Sequence, residues 1–368
     1  MSKPHTTFSL IPRALAWHNP KRIIFLPGAI ILLIIAVWAG LIRLGWDWPV
    51  IQPTLPMAHG PLMVGGFLGT LISLERAVAL DARWSYSAPL LTSMGAALLI
   101  VNGADGLSGP LFITLGSVVL VLVMVQILRI HVTLHTGVII GGTLCWLVGN
   151  LLWLFGWPVY QIVAWWIGFP ILTVAGERLE LGRFLQIPTR VTAAFMVCVV
   201  IFLLGAASSI ANYVIGLRLA GVGLVLLAVW LLRYDIANRR IKAGGQARFI
   251  AISLLSGYGW LIIGGVLAMS SGGLPAGPSY DAMLHAIFLG FTFAMIFAHA
   301  PIIFPAILQR SFQYTPRFYS HLILLHLSLA MRVFGDLLLW WPARLWGGLL
   351  NAVVLLLFLG NTLTSIRK

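Results

Sequence analysis

From about residue 22 to the end, the sequence is a succession of apolar runs of about twenty residues, parted only by short gaps. At about 1.5 Å per helical residue, a run of that length matches the roughly 30 Å apolar thickness of a bilayer. In lipid, backbone N–H and C=O groups must be satisfied within the spanning structure, so each run is predicted to be a helix. The runs fall at approximately 22–44, 55–75, 87–104, 109–130, 136–156, 159–179, 191–212, 213–233, 248–270, 280–308, 318–341 and 343–364. The fold class expected is therefore an all-α polytopic membrane protein with about twelve transmembrane helices. Composition agrees, at 60% hydrophobic and 9% charged with a mean hydropathy of +1.00, which excludes an ordinary soluble domain. The expected organisation is an N-terminal segment, 1–21, and one transmembrane helical domain, 22–368.

The basic residues set the expected direction of the chain. Of 23 lysines and arginines, a twelve-span reading puts nineteen on one side and four, Arg43, Arg218, Arg332 and Arg344, elsewhere. That asymmetry predicts both termini in the cytoplasm, by the excess of Lys and Arg in cytoplasmic loops. The formal net charge of +14 is accounted for by this anchoring, and nucleic acid is not an expected partner; the lipid bilayer is. The loop from Asp235 to Arg248 is the most basic and reads as an anchor on anionic lipid. Basic residues come late in the first twenty positions, and the first run is long enough to span, so it reads as a retained helix rather than a cleaved leader. Cys145 and Cys198 lie inside apolar runs, where a cysteine behaves as a small apolar residue. His5 and His18 read as solvated tail residues.

Ionisable groups inside such runs are costly in lipid and mark candidate sites. The tenth run carries two histidines, His285 and His299. They are 299 − 285 = 14 residues apart, so they project from roughly one helix face about 21 Å apart along the axis. On the outer level, His59 stands a few residues into the second run and His285 a few residues into the tenth, at matching depth. Two neutral imidazoles facing each other across a bundle can hold one haem iron axially. Gly60, Gly65, Gly66, Gly69 and Gly290 read as flat room for a porphyrin, or as close helix packing. Arg332 reads either as an i,i+4 ion pair with Asp336 or as a guanidinium for haem propionates. On the inner level, His299, His321 and His326 are expected at similar depth, with Glu75 and Glu177 ending the second and sixth runs. That group could bind a transition metal such as copper or iron, hold a second haem, or relay protons. Glu75-Arg76 and Glu177-Arg178 read equally as helix-end ion pairs. His131 and His135 read as loop residues. Pro301 and Pro305 are expected to kink the tenth helix.

Leu-Glu75-Arg76, Gly-Glu177-Arg178 and Leu-Gln309-Arg310 end runs two, six and ten, suggesting pseudo-threefold four-helix repeats. Twelve spans, His-Gly-Pro-Leu-Met at the outer start of the second and an outer histidine in the tenth together resemble subunit I of the haem-copper oxidases. The chain is also similar to the NnrS group of twelve-span haem- and copper-containing proteins. The resemblance implies a bacterial inner (cytoplasmic) membrane protein in which His59 and His285 hold haem b, with one or two haems in all, and Arg332 its propionates. It further implies a respiratory redox partner or a small gas ligand, and electron transfer or nitric oxide chemistry by a possible oxidoreductase. Departures are visible. Run ten has one outer histidine where the oxidases have two, run seven has no adjacent pair, run six has none, and Met-Ala-His-Gly is sparser than the NnrS motif. Oxygen reduction is therefore not expected. The alternative reading is a cofactor-free proton- or metal-ion-coupled transporter.

Overall fold

The computed structural model describes residues 21–271, 273–308 and 310–367. His5, His18 and Gln309 lie outside the described residues. Among the described residues, twelve helices are long and apolar enough to cross a membrane: α1 Phe25–Leu44, α2 Leu55–Leu80, α3 Arg83–Asn102, α4 Ser108–Ile130, α5 Leu134–Leu154, α6 Val159–Gly182, α7 Thr189–Ala211, α8 Tyr213–Tyr234, α9 Gly245–Ser271, α10 Pro278–Pro305, α11 Phe318–Leu337 and α12 Trp341–Leu363. The protein is an all-α, multi-pass membrane protein. Connections are short, so consecutive helices are antiparallel neighbours, and α1 also touches α12, which closes the ring of contacts.

Burial along the chain recurs every fourth helix. The helices α2, α6 and α10 are the three most buried of the twelve, and the others surround them. The ends of α2, α3, α6 and α11 that carry Arg76, Arg83, Arg178 and Arg317 lie on one side, called the basic side below. There the tail pairs with the loop after α10, as a two-residue antiparallel ladder of Ser311–Phe312 with Ile366–Arg367. Asp235, buried at the end of α8, accepts from the backbone N–H of Ala237 and from the Tyr258 hydroxyl. It thereby holds the first residue of the one-turn helix Ala237–Arg240 that opens the basic loop.

Neither α2 nor α10 is α-helical throughout. Residues Leu62–Leu68 of α2 and Ala286–Phe293 of α10 are π-helical. The widened stretch of α10 begins at the residue after His285 and that of α2 three residues after His59, and π-segments gather at functional sites. Pro301 and Pro305 both lie within the last stretch of α10. Elsewhere small residues set the helix spacing. The closest approach is α7 on α8, where a Cβ on Gly216 would strike the Ser209 backbone. A Gly216→Leu variant should therefore be destabilised by about 1–3 kcal/mol through overpacking, read as a lower midpoint of thermal unfolding in detergent; an unchanged midpoint would mean that these helices part freely.

A candidate histidine site between α2 and α10

The outer histidines face each other. The rings of His59 and His285 have centroids 6.3 Å apart and planes 8° from parallel. His59 Nδ1 donates to the Ala36 carbonyl of α1 at 2.7 Å, and His285 Nδ1 donates to the Asp281 carbonyl at 2.8 Å. A carbonyl can only accept, so both Nδ1 atoms carry the proton and both Nε2 atoms carry the lone pair. Among the described residues neither Nε2 is hydrogen-bonded. The His59 ring leans on α1, where a Cβ on Gly40 would come within 2.6 Å of it. Although their rings meet, α2 and α10 are not among the helix pairs whose backbones pack closely. Deeper in the membrane, Phe67 and Phe293 stack across the same gap with centroids 5.7 Å apart. Each phenylalanine is eight residues beyond its histidine.

Charge surrounds this pair. Arg332 donates through Nε and Nη2 to Asp281 Oδ2, at 3.2 and 2.8 Å. The other carboxylate oxygen of Asp281 lies 3.4 Å from His285 Nδ1. Arg344 contacts Asp281 at 3.8 Å and Asp336 at 2.6 Å, and it lies over the Trp341 ring. Arg43 and Arg332 are close enough to His59 to act on its charge. Three of the four arginines that the basic-side majority leaves out thus converge on one site. Two expectations are corrected here. Arg332 does not pair with Asp336 one turn along its own helix, because Asp281 of α10 offers two aligned bonds. The glycines other than Gly60 are not porphyrin room: a Cβ on Gly65, Gly66, Gly69 or Gly290 would meet Ile113, Ala96, Trp146 or Trp260 respectively. They serve helix packing, and only Gly60 faces open space. Asp281 was not a sequence candidate; an acid four residues before His285 in an apolar run was the available signal.

The inner candidates separate into three surroundings. His299 Nδ1 donates to the Met295 carbonyl at 2.7 Å, and its Nε2 accepts from Arg178 at 3.2 Å. Glu177 lies 3.9 Å from that Nε2. Arg76 bridges Glu177 and Glu75, the latter at 3.3 Å. Glu75 and Glu177 therefore share Arg76, and the expected Glu177–Arg178 pair gives way to Arg178 on His299. His321 is fully buried in a cage of Phe249, Phe297, Phe318 and Phe358. Its Nδ1 accepts from Asn361 at 3.1 Å. His326 Nδ1 accepts from the Trp260 indole at 2.9 Å. Accepting at Nδ1 puts the proton of a neutral ring on Nε2, which then has no lone pair to give a metal. Among the described residues no three His, Cys, Asp or Glu side chains are grouped to hold a metal ion. The expected inner set of His299, His321, His326, Glu75 and Glu177 is thus brought together only as far as His299, Glu75 and Glu177. His135 lies beside Thr133 and Glu180, at 3.0 and 3.7 Å.

The fold and these clusters define a polytopic membrane protein built around ionisable groups on its central helices. The chain belongs to the family described as a domain of unknown function (DUF8744), whose model matches residues 22–367. No curated protein matches it. The charge network of the outer site yields an expectation of its own. In Asp281→Ala, Arg332 loses both bonds while its side chain stays 10% exposed, which should cost on the order of 3 kcal/mol. Thermal unfolding in detergent reads this as a large fall in midpoint, and a midpoint equal to that of the parent would mean that water replaces the carboxylate.

Proposed function

We propose that this chain is a membrane haem protein in which His59 and His285 are the two axial ligands of one b-type haem. The observation that carries the reading is the ring pair. Two metal–imidazole bonds of about 2 Å, plus the distance from each nitrogen to its ring centre, span about 6 Å, against 6.3 Å between the centroids. The tautomers suit the role, since each Nδ1–H is held by a carbonyl and each Nε2 lone pair is left for a metal. Such outer hydrogen bonds orient metal-bound imidazoles and raise their basicity. Arg43, Arg332 and Arg344 supply positive charge near the carboxylates of such a cofactor. Arg332 is committed to Asp281 through two nitrogens, so it would act on propionates mainly through its charge.

A haem held by two imidazoles supplies one-electron transfer. Both axial positions are then taken, so electron transfer is favoured over nitric oxide binding at this site. The chain's own residues hold the ring planes parallel, fix the tautomers and keep the site in a low-dielectric interior. This reading agrees with the resemblance to the oxidase and NnrS groups and extends it no further: copper, a second haem and a redox partner gain no support here. A cofactor-free ion-coupled transporter is the second reading, favoured by the cavity described below.

Visible spectroscopy separates the two. Protein purified from haem-replete cells should show a Soret band and the bands of a low-spin iron. His59→Ala and His285→Ala should each lose the low-spin signal while remaining monodisperse. Colourless protein from such cells removes the haem reading, and colourless protein that takes up ions in liposomes puts the transporter in its stead.

A further inference from the structure

We infer that the basic-side ends of α2, α6 and α10 form a second site, separate from the histidine pair: a hydrated chamber in which Glu75 and Glu177 exchange protons with the solvent of that side. A cavity of about 80 Å³ lies among these helices, lined at its polar end by Glu75, Glu177 and His299 and otherwise almost wholly by apolar side chains. That is room for several waters. A cavity of this size stays dry when its walls are apolar, and holds water when each water finds two to four polar partners. The carboxylates supply acceptors here. The hydroxyls of Thr173 and Thr292 line it too, and outside its wall Nε of Arg76 and Nε of Arg178 are buried without a protein partner. Buried N–H groups of that kind are met by water in folded proteins.

Charge makes the chamber a proton site rather than an anion site. Glu75, Glu177, Arg76 and Arg178 sum to zero, and His299 is held by the Met295 carbonyl on one nitrogen and Arg178 on the other. A further anion would leave the buried cluster negative. Arg178 is committed to His299, so Arg76 alone serves two carboxylates. A proton brought by a hydronium ion can settle on whichever carboxylate Arg76 holds less closely, leaving a neutral carboxyl and a water. The other charged and titratable neighbours are Glu180, which acts on Arg76, and Asp235 and Tyr258, which lie near Arg178. Access is from the basic side: the Glu75 side chain is about a third exposed, against 18% for Glu177 and His299. The Phe67–Phe293 stack lies between this chamber and the His59–His285 pair, so protons enter and leave by the same end.

The test uses the full chain in lipid nanodiscs and difference infrared spectroscopy between acid and alkaline buffer. A carbonyl stretch of a protonated carboxyl group should appear in acid, shift in D2O, and vanish in Glu75→Gln or Glu177→Gln. It should persist in His59→Ala and His285→Ala, whose haem content is scored separately by absorbance, so the two readings fail independently. Ala300→Leu fills the cavity without touching a charged group and should slow deuterium exchange of the band. A band unchanged in both glutamine variants overturns the assignment. Exchange as fast in a folded Ala300→Leu variant as in the parent overturns the hydrated route.

Discussion

Every ionisable side chain inside the membrane must find a partner there, because an isolated charge in hydrocarbon costs several kcal/mol. That constraint organises the centre of this protein. Helix α10 carries a histidine near each end, and each stands at the edge of a network of carboxylates and guanidinia. On the side opposite the basic one Asp281 lies beside His285 and is held by Arg332, and Arg344 links Asp281 to Asp336. On the basic side His299 has Glu75, Glu177, Arg76 and Arg178. With neutral imidazoles the basic-side group balances to zero charge, and Arg43 leaves the group around His59 and His285 one positive charge in excess. Each draws its members from several helices, so each ties the bundle together at its own level.

A second regularity relates α2 to α10. His59 and His285 are 285 − 59 = 226 residues apart, and so are Phe67 and Phe293. Both pairs meet across the same gap, and both helices widen into a π-segment just past the histidine. The two helices therefore run parallel in register through their outer halves. The register does not persist to the basic ends, where Arg76 and Arg310 are 310 − 76 = 234 residues apart. There α10 carries Pro301 and Pro305 and α2 carries its charged pair. The halves that carry the His59–His285 pair are matched, and the halves toward the basic side differ in content.

Much of this was legible in the sequence, for reasons that also explain what was not. Helix positions were readable to within a few residues because bilayer thickness fixes the length of an apolar run. The facing of His59 and His285 was readable because equal depth on parallel helices needs only counting. Partners across helices were not. Asp336 one turn from Arg332 is a sound local expectation, but Asp281 reaches the guanidinium from another helix with better geometry. The glycines of α2 were ambiguous because a missing side chain makes room for a ring or for a helix, and three of them face helices. His321 and His326 matched the depth of His299, yet depth says nothing about which nitrogen carries the proton. A tryptophan and an asparagine on neighbouring helices decide that.

The two outer imidazoles are alike in position and unlike in surroundings, and this difference bears on what they can do. His59 donates to an uncharged carbonyl and is wedged against α1 at Gly40. His285 donates to a carbonyl too, but the carboxylate of the same Asp281 lies 3.4 Å from its Nδ1. A carboxylate there raises the basicity of the ring's other nitrogen. Two guanidinia then pull the other way, one of them bonded to that carboxylate through two nitrogens. In a site of low dielectric these opposed charges act strongly over such distances. In the proposed haem site, the electron-donating power of His285 would be set by how tightly Arg332 holds Asp281, a contact made at Nδ1 and not at Nε2.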